Sequence, residues 1–277
     1  MLLSDDNWGG RKVSENMLEK QPNIDRRTVD GFGEEWTRFD QTDVCETELK
    51  EIFASYFRIF PWHLLPENAV GYDLGCGTGR WAKYVAPRVG HLHCIDASAK
   101  ALEVAKRNLR EFTNCEFALA SVESLPLEDG AMDFGYSLGV LHHVPNTAVG
   151  IKSCVSKLKP DAPFLLYLYY AFDNRPAWFR LLWHSSDLIR RIISRSPFWL
   201  KYCLSQAIAV FVYYPLARFA CLLEMFGINV DMFLLSFYRR RSFYTMRTDA
   251  LDRFGTRLEQ RFTARQIQGM MEEAGLS

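Results

Sequence analysis

Between residues 67 and 170 short apolar runs alternate with longer amphipathic ones. That rhythm predicts strand–helix–strand units around a parallel sheet, an α/β fold. Strands are expected at Ala69–Leu74, Leu92–Asp96, Cys115–Ala120, Met132–Leu138 and Pro163–Tyr169, with helices near Arg80–Val89, Ala99–Phe112 and Thr147–Leu158. Lys159-Pro160-Asp161 is the turn that ends the last of these helices and feeds the fifth strand.

The flanks follow other patterns. Residues 1–66 begin polar and are expected to be loose, becoming aromatic and partly helical from Trp36 onward. Leu49, Ile52, Phe53, Tyr56, Phe57 and Phe60 recur there at roughly helical spacing, and Pro61 and Pro66 close the segment. Residues 171–247 are rich in Trp, Phe, Tyr, Leu and Arg and read as helices inserted after the fifth strand. Residues 248–277 return to the core with a last helix, Ala264–Ala274, for which Thr263 is the N-cap and Gly275 the C-cap. The expected organisation is thus a tail and helical cap (1–66), a core (67–170), a substrate or lid insert (171–247) and a return to the core (248–277).

Composition adds limits. Of 277 residues, 48% are hydrophobic and 24% charged, ordinary for a globular chain of one large domain or a core with a smaller partner. Basic and acidic residues number 33 each, so overall charge gives no argument for nucleic acid, and no nucleic-acid partner is expected. From Asp173 to Arg247, however, eleven Lys/Arg stand against four Asp/Glu, so the insert is basic and the remainder acidic. The cysteines at 45, 76, 94, 115, 154, 203 and 221 form no C-x-x-C pair and no zinc spacing; reduced thiols, a cytoplasmic location and no metal are expected. The first twenty residues hold no apolar stretch suited to a signal peptide. Tyr202–Ala217 is almost wholly apolar, yet shorter than the ~20 residues of a bilayer span and broken by Gln206 and Pro215. It is expected to be a buried lid helix. The other readings are a dimer contact or, given Arg190, Arg191, Arg195, Lys201 and Arg218, a peripheral contact of residues 190–218 with an anionic membrane surface.

The chemistry centres on Asp73-Leu74-Gly75-Cys76-Gly77-Thr78-Gly79, where the first strand runs into a glycine-rich turn before a helix. Such glycines let the backbone turn tightly and let a ligand approach the main chain. A dinucleotide fingerprint would place its third glycine at position 80, which is Arg80, so a bound diphosphate and an NAD-dependent oxidoreductase are disfavoured. Asp73 instead puts a carboxylate where a cation such as a methionine ammonium could be held. Asp96 ends the second strand, where a carboxylate can accept hydrogen bonds from both ribose hydroxyls. The polar stretch Ala120–Pro126, leaving the third strand beside the crevice, could meet an adenine edge.

Together, "VGYDLGCGTGRWAKYVAPRVGHLHCIDASAKALEVAKRNL" and "ASVESLPLEDGAMDFGYSLGVLHHVPN" resemble the Rossmann-like (class I) S-adenosylmethionine-dependent methyltransferases of the ubiquinone/menaquinone-biosynthesis type. The resemblance implies a three-layer sandwich with strand order 3-2-1-4-5 and S-adenosylmethionine as cofactor. It implies that Asp73, Gly75, Cys76, Gly77 and Gly79 hold the methionine portion, Asp96 and Ala97 the ribose, and Ser121, Val122 and Glu123 the adenine. Ser137, Leu138 and His142 would face the sulfonium end. "GFGEEWTRFDQ" (31–41) resembles a segment preceding the core in related bacterial enzymes, where Trp36 and Arg38 would cover the cofactor.

Methyl transfer from a sulfonium is an in-line displacement that depends on alignment, with a base needed when the acceptor carries a proton. His142 and His143 are the candidate bases. Nucleobase amino-methyltransferases of this fold carry an Asn/Asp-Pro-Pro-aromatic tetrad after the fourth strand; Leu141-His142-His143-Val144-Pro145 stands here instead. A small-molecule acceptor, lipid- or sugar-linked and methylated on oxygen or carbon, is therefore expected. Tyr169, Tyr170, Asp173, Asn174 and Arg175 would shape its site, with Arg239-Arg240-Arg241, Phe243, Tyr244 and Arg247 meeting an acceptor phosphate or carboxylate. The competing reading is a non-catalytic cofactor-binding or scaffold protein. In this fold a further strand pair follows the last helix; none follows Gly275-Leu276-Ser277, so a five-stranded sheet and a truncated form of a longer protein are expected.

Overall fold

The computed structural model describes residues 22–276; the polar stretch 1–21 expected to be loose lies outside them. Helix α1 (Arg26–Arg38) starts well before Trp36, where helical structure was expected to begin. Its N-cap is Asp25, whose carboxylate accepts a hydrogen bond from Thr28 N at 2.7 Å. The helix was hidden in the sequence by its polar majority, but Val29, Phe32 and Trp36 recur on one face. Gly33 lets it approach its neighbour closely, for a Cβ there would sit 2.5 Å from Ser98 Oγ. Helix α2 (Glu46–Tyr56) follows.

The core then runs β1 (Val70–Leu74), α3 (Ala82–Val85), β2 (His91–Asp96), α4 (Ala99–Asn108), β3 (Cys115–Leu119), β4 (Phe134–Leu138), α5 (Thr147–Val155) and β5 (Phe164–Tyr167). The strands lie where expected, within a residue or two at their ends, and pair in parallel in the order β3-β2-β1-β4-β5. The helices are shorter than expected. Pro87 turns the end of the first into a 3₁₀ turn, Ala86–Arg88, and the third stops at Val155 as the chain bends to bridge Leu158 to Met132.

One face of the sheet is covered by α2, α3 and α4, through residues such as Phe53, Val85 and Leu102. The other is covered by α5 and α10 (Ala264–Glu273), through Ile151 and Ile267. Thr263 caps α10 in a full capping box, and Gly275 past its end has φ +92°.

Between β5 and α10 lies a helical cap: α6 (Ala177–Ile193), α7 (Phe198–Ile208), a π turn (Ala209–Tyr213), α8 (Tyr214–Met225) and α9 (Phe243–Gly255). Helix α9 runs straight across position 247, where the insert was expected to end, and packs Met246, Ala250 and Phe254 against Ala209, Tyr213 and Ala217. The apolar stretch Tyr202–Ala217, expected to be a buried lid helix, is part of one continuous and largely exposed helix, Phe198–Met225, of 28 residues, long and apolar enough by composition to cross a membrane. Gln206 stays within it by bonding Arg247 Nε at 2.5 Å, and Pro215 falls just past the π turn, which absorbs its missing N–H.

Two glycines let aromatic rings lie flat against the centre of the sheet. A Cβ on Gly71 would sit 2.3 Å from the Phe134 ring, and one on Gly135 would sit 2.3 Å from the Tyr72 ring. Both rings are fully buried, on opposite faces. Because neither can withdraw, Gly71→Ala or Gly135→Ala should cost at least ~2 kcal/mol of stability by overpacking. Urea unfolding with an unchanged m-value and midpoint would contradict this account of the core.

Candidate active site

Strand order reverses between β1 and β4, and at their C-terminal ends the crevice expected of an open parallel sheet is present. The turn after β1 is built on three residues with positive φ: Gly75 (76°), Gly77 (55°) and Gly79 (75°). Gly75 N and Cys76 N donate to Ile95 O of β2, at 2.7 and 3.1 Å. Asp96 completes the tie: Oδ2 accepts from Gly77 N at 2.9 Å and Oδ1 from Ser98 N at 2.8 Å. Burial raises the Asp96 pKa, and these N–H donors counter the rise in part.

Gly75, Cys76, Gly77, Asp96, Ala97, Ser121, Val122, Leu138 and His143 all line one cavity of about 990 Å³. Five other residues predicted for the cofactor or as bases stand outside it, as do Asp173, Asn174, Arg239-Arg240-Arg241, Phe243, Tyr244 and Arg247, predicted for the acceptor. Asp73 lies beneath the turn, buried, with Oδ2 unpartnered among the described residues. Gly79 packs on Leu109, which a Cβ would meet at 2.7 Å. Ser137 is buried and donates to Leu74 O at 3.1 Å. Glu123 accepts a hydrogen bond from Asn23 N at the rim. His142 is wholly buried and stacked on Tyr169 with ring centroids 3.8 Å apart.

The two candidate bases share one 3₁₀ turn with ring centroids 4.0 Å apart, but only His143 reaches the cavity. His143 Nδ1 donates to Leu258 O at 2.6 Å, because a carbonyl can only accept; Nε2 then carries the free lone pair of the neutral ring and has no partner among the described residues. Burial lowers the pKa of His143, with Asp252 and the Leu258 carbonyl opposing. Burial lowers that of His142 further, helped by His143 and Arg261. Of the N-terminal pair, Trp36 lines the cavity, with Nε1 3.2 Å from where a Gly77 Cβ would be. Arg38 does not line it and stacks on Tyr202 of the cap, 4.2 Å from the ring centroid.

The cap contributes an acidic wall that was not foreseen. Asp249 and Asp252, one turn apart on α9, both line the cavity. Tyr238 donates to Asp249 at 2.8 Å and Tyr169 to Asp252 at 2.6 Å. Burial, with the nearby Asp252 charge adding to it, pushes the Asp249 pKa up to about 6. The i, i+3 spacing in "TDALDRFG" was the available signal; placing the end of the insert at 247 separated it from the site.

These residues fit S-adenosylmethionine. The orphaned Asp73 oxygen offers a buried acceptor for the methionine ammonium, and Gly75, Cys76 and Gly77 bring the main chain of the turn to the cavity wall. Each Asp96 oxygen keeps a second lone pair for a ribose hydroxyl. Residues 72–166 match the family model described as a methyltransferase domain. Residues 72–166 thus carry a methyltransferase domain, and the cofactor it implies is S-adenosylmethionine. The chain is similar to a ubiquinone biosynthesis O-methyltransferase of Xanthomonas axonopodis pv. citri (strain 306), 25% identical over 66% of this chain and 76% of that one. Among solved structures it is similar to the YcgJ protein of Bacillus subtilis (22% identity, TM-score 0.42, 53% of this chain and 59% of that one). It is also similar to an S-adenosylmethionine-dependent methyltransferase of Mesorhizobium loti (26% identity, TM-score 0.36, 42% and 56%). The chain thus spans less than two thirds of the length of these two solved proteins.

Burial pushes the Asp73 pKa up to about 8, so the free protein holds this carboxyl largely neutral at pH 7. A bound ammonium favours the ionised form. Calorimetry in buffers of different ionisation enthalpy should therefore detect proton release on S-adenosylmethionine binding at pH 7. Asp73→Asn should abolish the release and weaken binding roughly ten- to a hundredfold, the loss of a charged hydrogen bond. Because the folded pKa lies above the unfolded one, stability is lost as pH rises toward 8, and the Asn variant should melt higher than wild type there. Unchanged affinity and proton release would remove Asp73 from the site.

Proposed function

We propose that this methyltransferase acts on an oxygen or carbon of an amphiphilic small molecule that enters the cap cavity from a membrane surface. The observation that carries the reading is the cavity's continuity: the same space touches the glycine turn, the α9 carboxylates and the apolar side chains Leu182, Ile189 and Val212, which are themselves 50%, 50% and 41% exposed. An acceptor with a polar head and an apolar tail matches that gradient. The Xanthomonas relative is named as an O-methyltransferase, which favours oxygen as the site of methylation.

S-adenosylmethionine supplies a methyl group already activated on a sulfonium. The protein's own work is to align the acceptor, exclude water and receive a proton. His143 Nε2, unpartnered on the cavity wall, is the proposed base. Asp249 is the second candidate, since its pKa of about 6 leaves it mostly ionised and moderately basic at pH 7. Arg175 and Arg261, also on the wall, are the cations available to an acidic head group.

The membrane reading rests on where the apolar surface lies. Trp178, Leu181, Leu188 and Ile192 form an exposed stripe along α6, and Trp199, Phe211, Phe219 and Met225 one along α7–α8. The opposite face of α7–α8 is committed to the cap through Ala209, Tyr213 and Ala217, so lipid cannot surround the helix, and lying in the interface suits it better than crossing. Exposed Arg180, Arg191, Arg195 and Arg218 border the stripes and suit anionic head groups.

Two experiments test this. With methyl-labelled S-adenosylmethionine and a total lipid extract, label should enter a solvent-extractable product, and kcat/KM should fall toward acid pH as the base takes up a proton. His143→Gln should cut kcat by roughly 10²–10⁴ and remove that acid limb; a limb lost only in Asp249→Asn would move the base to Asp249. In co-sedimentation with phosphatidylglycerol vesicles at low salt, wild type should pellet. The doubly substituted Phe211→Glu/Phe219→Glu protein should stay in solution with its melting temperature retained. Wild type left in the supernatant would overturn the membrane contact.

A further inference from the structure

Away from the cavity, β2 and β3 place three metal-ligating side chains together. His91 and His93 are two residues apart on β2 and so share one face of the sheet. The parallel register sets Glu116 of edge strand β3 against His93. His91 Nε2 and His93 Nδ1 lie 3.2 and 3.3 Å from the same Glu116 oxygen, and one donor atom from each residue falls within 4.8 Å of the others. This is the face that α5 and α10 cover around Ile95 and Ala118. Residues 120–133, between β3 and β4, contain no helix, so the margin at β2–β3 stays open: His91 and His93 are half-buried and Glu116 is exposed.

We infer that His91, His93 and Glu116 form a site for a divalent transition metal, Zn²⁺ by preference. Zinc binds imidazole nitrogen at about 2.0–2.1 Å and carboxylate oxygen at about 2.0–2.2 Å, so ligand atoms at adjacent corners of a tetrahedron stand roughly 3.3–3.4 Å apart. The two N···O separations already have that length. Two imidazoles and one carboxylate leave the fourth corner to water on the open side. The donor set favours zinc over magnesium or calcium, which prefer all-oxygen shells.

A plain ion pair explains the cluster less well, because a single Glu116 oxygen is met by both imidazoles at once. His93 precedes Asp96 by three residues, about 10 Å along the strand, so the metal sits apart from the reacting atoms and clasps β3 to β2. The site contains no cysteine. The H-x-H in "HLHCID" was half of the signal, and the other half exists only in the register of the next strand.

The test uses tag-free full chain stripped with EDTA, without S-adenosylmethionine, so that its outcome is independent of the methyltransferase site. Titration with Zn²⁺ against a chromophoric chelator should give one site per chain, and zinc should raise the melting temperature. Co²⁺ should give visible d–d absorption without a thiolate charge-transfer band. His91→Ala, His93→Ala and the conservative Glu116→Gln should each weaken zinc binding at least about tenfold and lose the thermal shift. No binding by wild type, a thiolate band, or wild-type affinity in the variants would each overturn the site.

Discussion

The left-handed turn between β1 and α3 is the constraint on which the site depends, because each of its glycines makes room for a different element. A Cβ at Gly75 would strike Val140 from the loop after β4 at 2.3 Å; one at Gly79 would strike Leu109 at the end of α4; one at Gly77 would crowd Trp36 on α1. An L-residue forced to positive φ costs roughly 1–2 kcal/mol, and these positions would add steric collision to that. The turn is thus where the amino-terminal helix, α4 and the β4 loop converge, with Asp96 and the Ile95 carbonyl fixing it from β2. Glycine serves here for close approach among the protein's own elements as much as for access by a ligand.

The cap is joined to this centre by charge. Asp187 and Arg190 on α6 pair at 2.7 Å with little exposure, and Arg190 Nη1 reaches Thr256 O, just past α9, at 3.0 Å. Arg253 and Arg261 close on the Glu259 carboxylate at 2.8 and 2.9 Å. Buried ion pairs contribute little net stability once desolvation is counted, but leaving one partner alone is costly. The network therefore fixes which face of α6 and α9 turns inward more than how tightly they hold. Asp249 and Asp252 stay beside it with tyrosine hydroxyls as their donors, which leaves the acidic wall free to meet an acceptor.

The parts legible in the sequence were those governed by local periodicity. The central strands β1 and β4, buried on both faces, read as continuous apolar runs, and all five strands were placed. Thr263 and Gly275 bracket a helix by chemistry that needs no tertiary context. What failed were features decided across the chain. His142 and His143 are neighbours in sequence, and only the packing of Tyr169 and the Leu258 carbonyl separates a sealed ring from one on the cavity wall. Helix α1 was obscured because its apolar face is narrow, and α9 because a boundary inferred from composition fell inside it. The carboxylates of α9 became part of the site only through a cap fold that no pattern within that helix announces.

The orientation of α6 is the sharpest departure from the habits of a soluble helix. Its buried side includes Asp187 and Arg190, whereas Trp178, Leu181, Leu188 and Ile192 face outward at 50% exposure or more. A helix that buries an ion pair and presents tryptophan and leucine outward reverses the usual driving force, since burying apolar surface is what stabilises a fold in water. The arrangement is favourable if what lies outside is itself apolar. Leu182 and Ile189 connect that outer surface to the cavity. On the proposed reading, the segment that meets the lipid is also the segment through which the acceptor's tail passes, so contact with the membrane and entry to the site are one event.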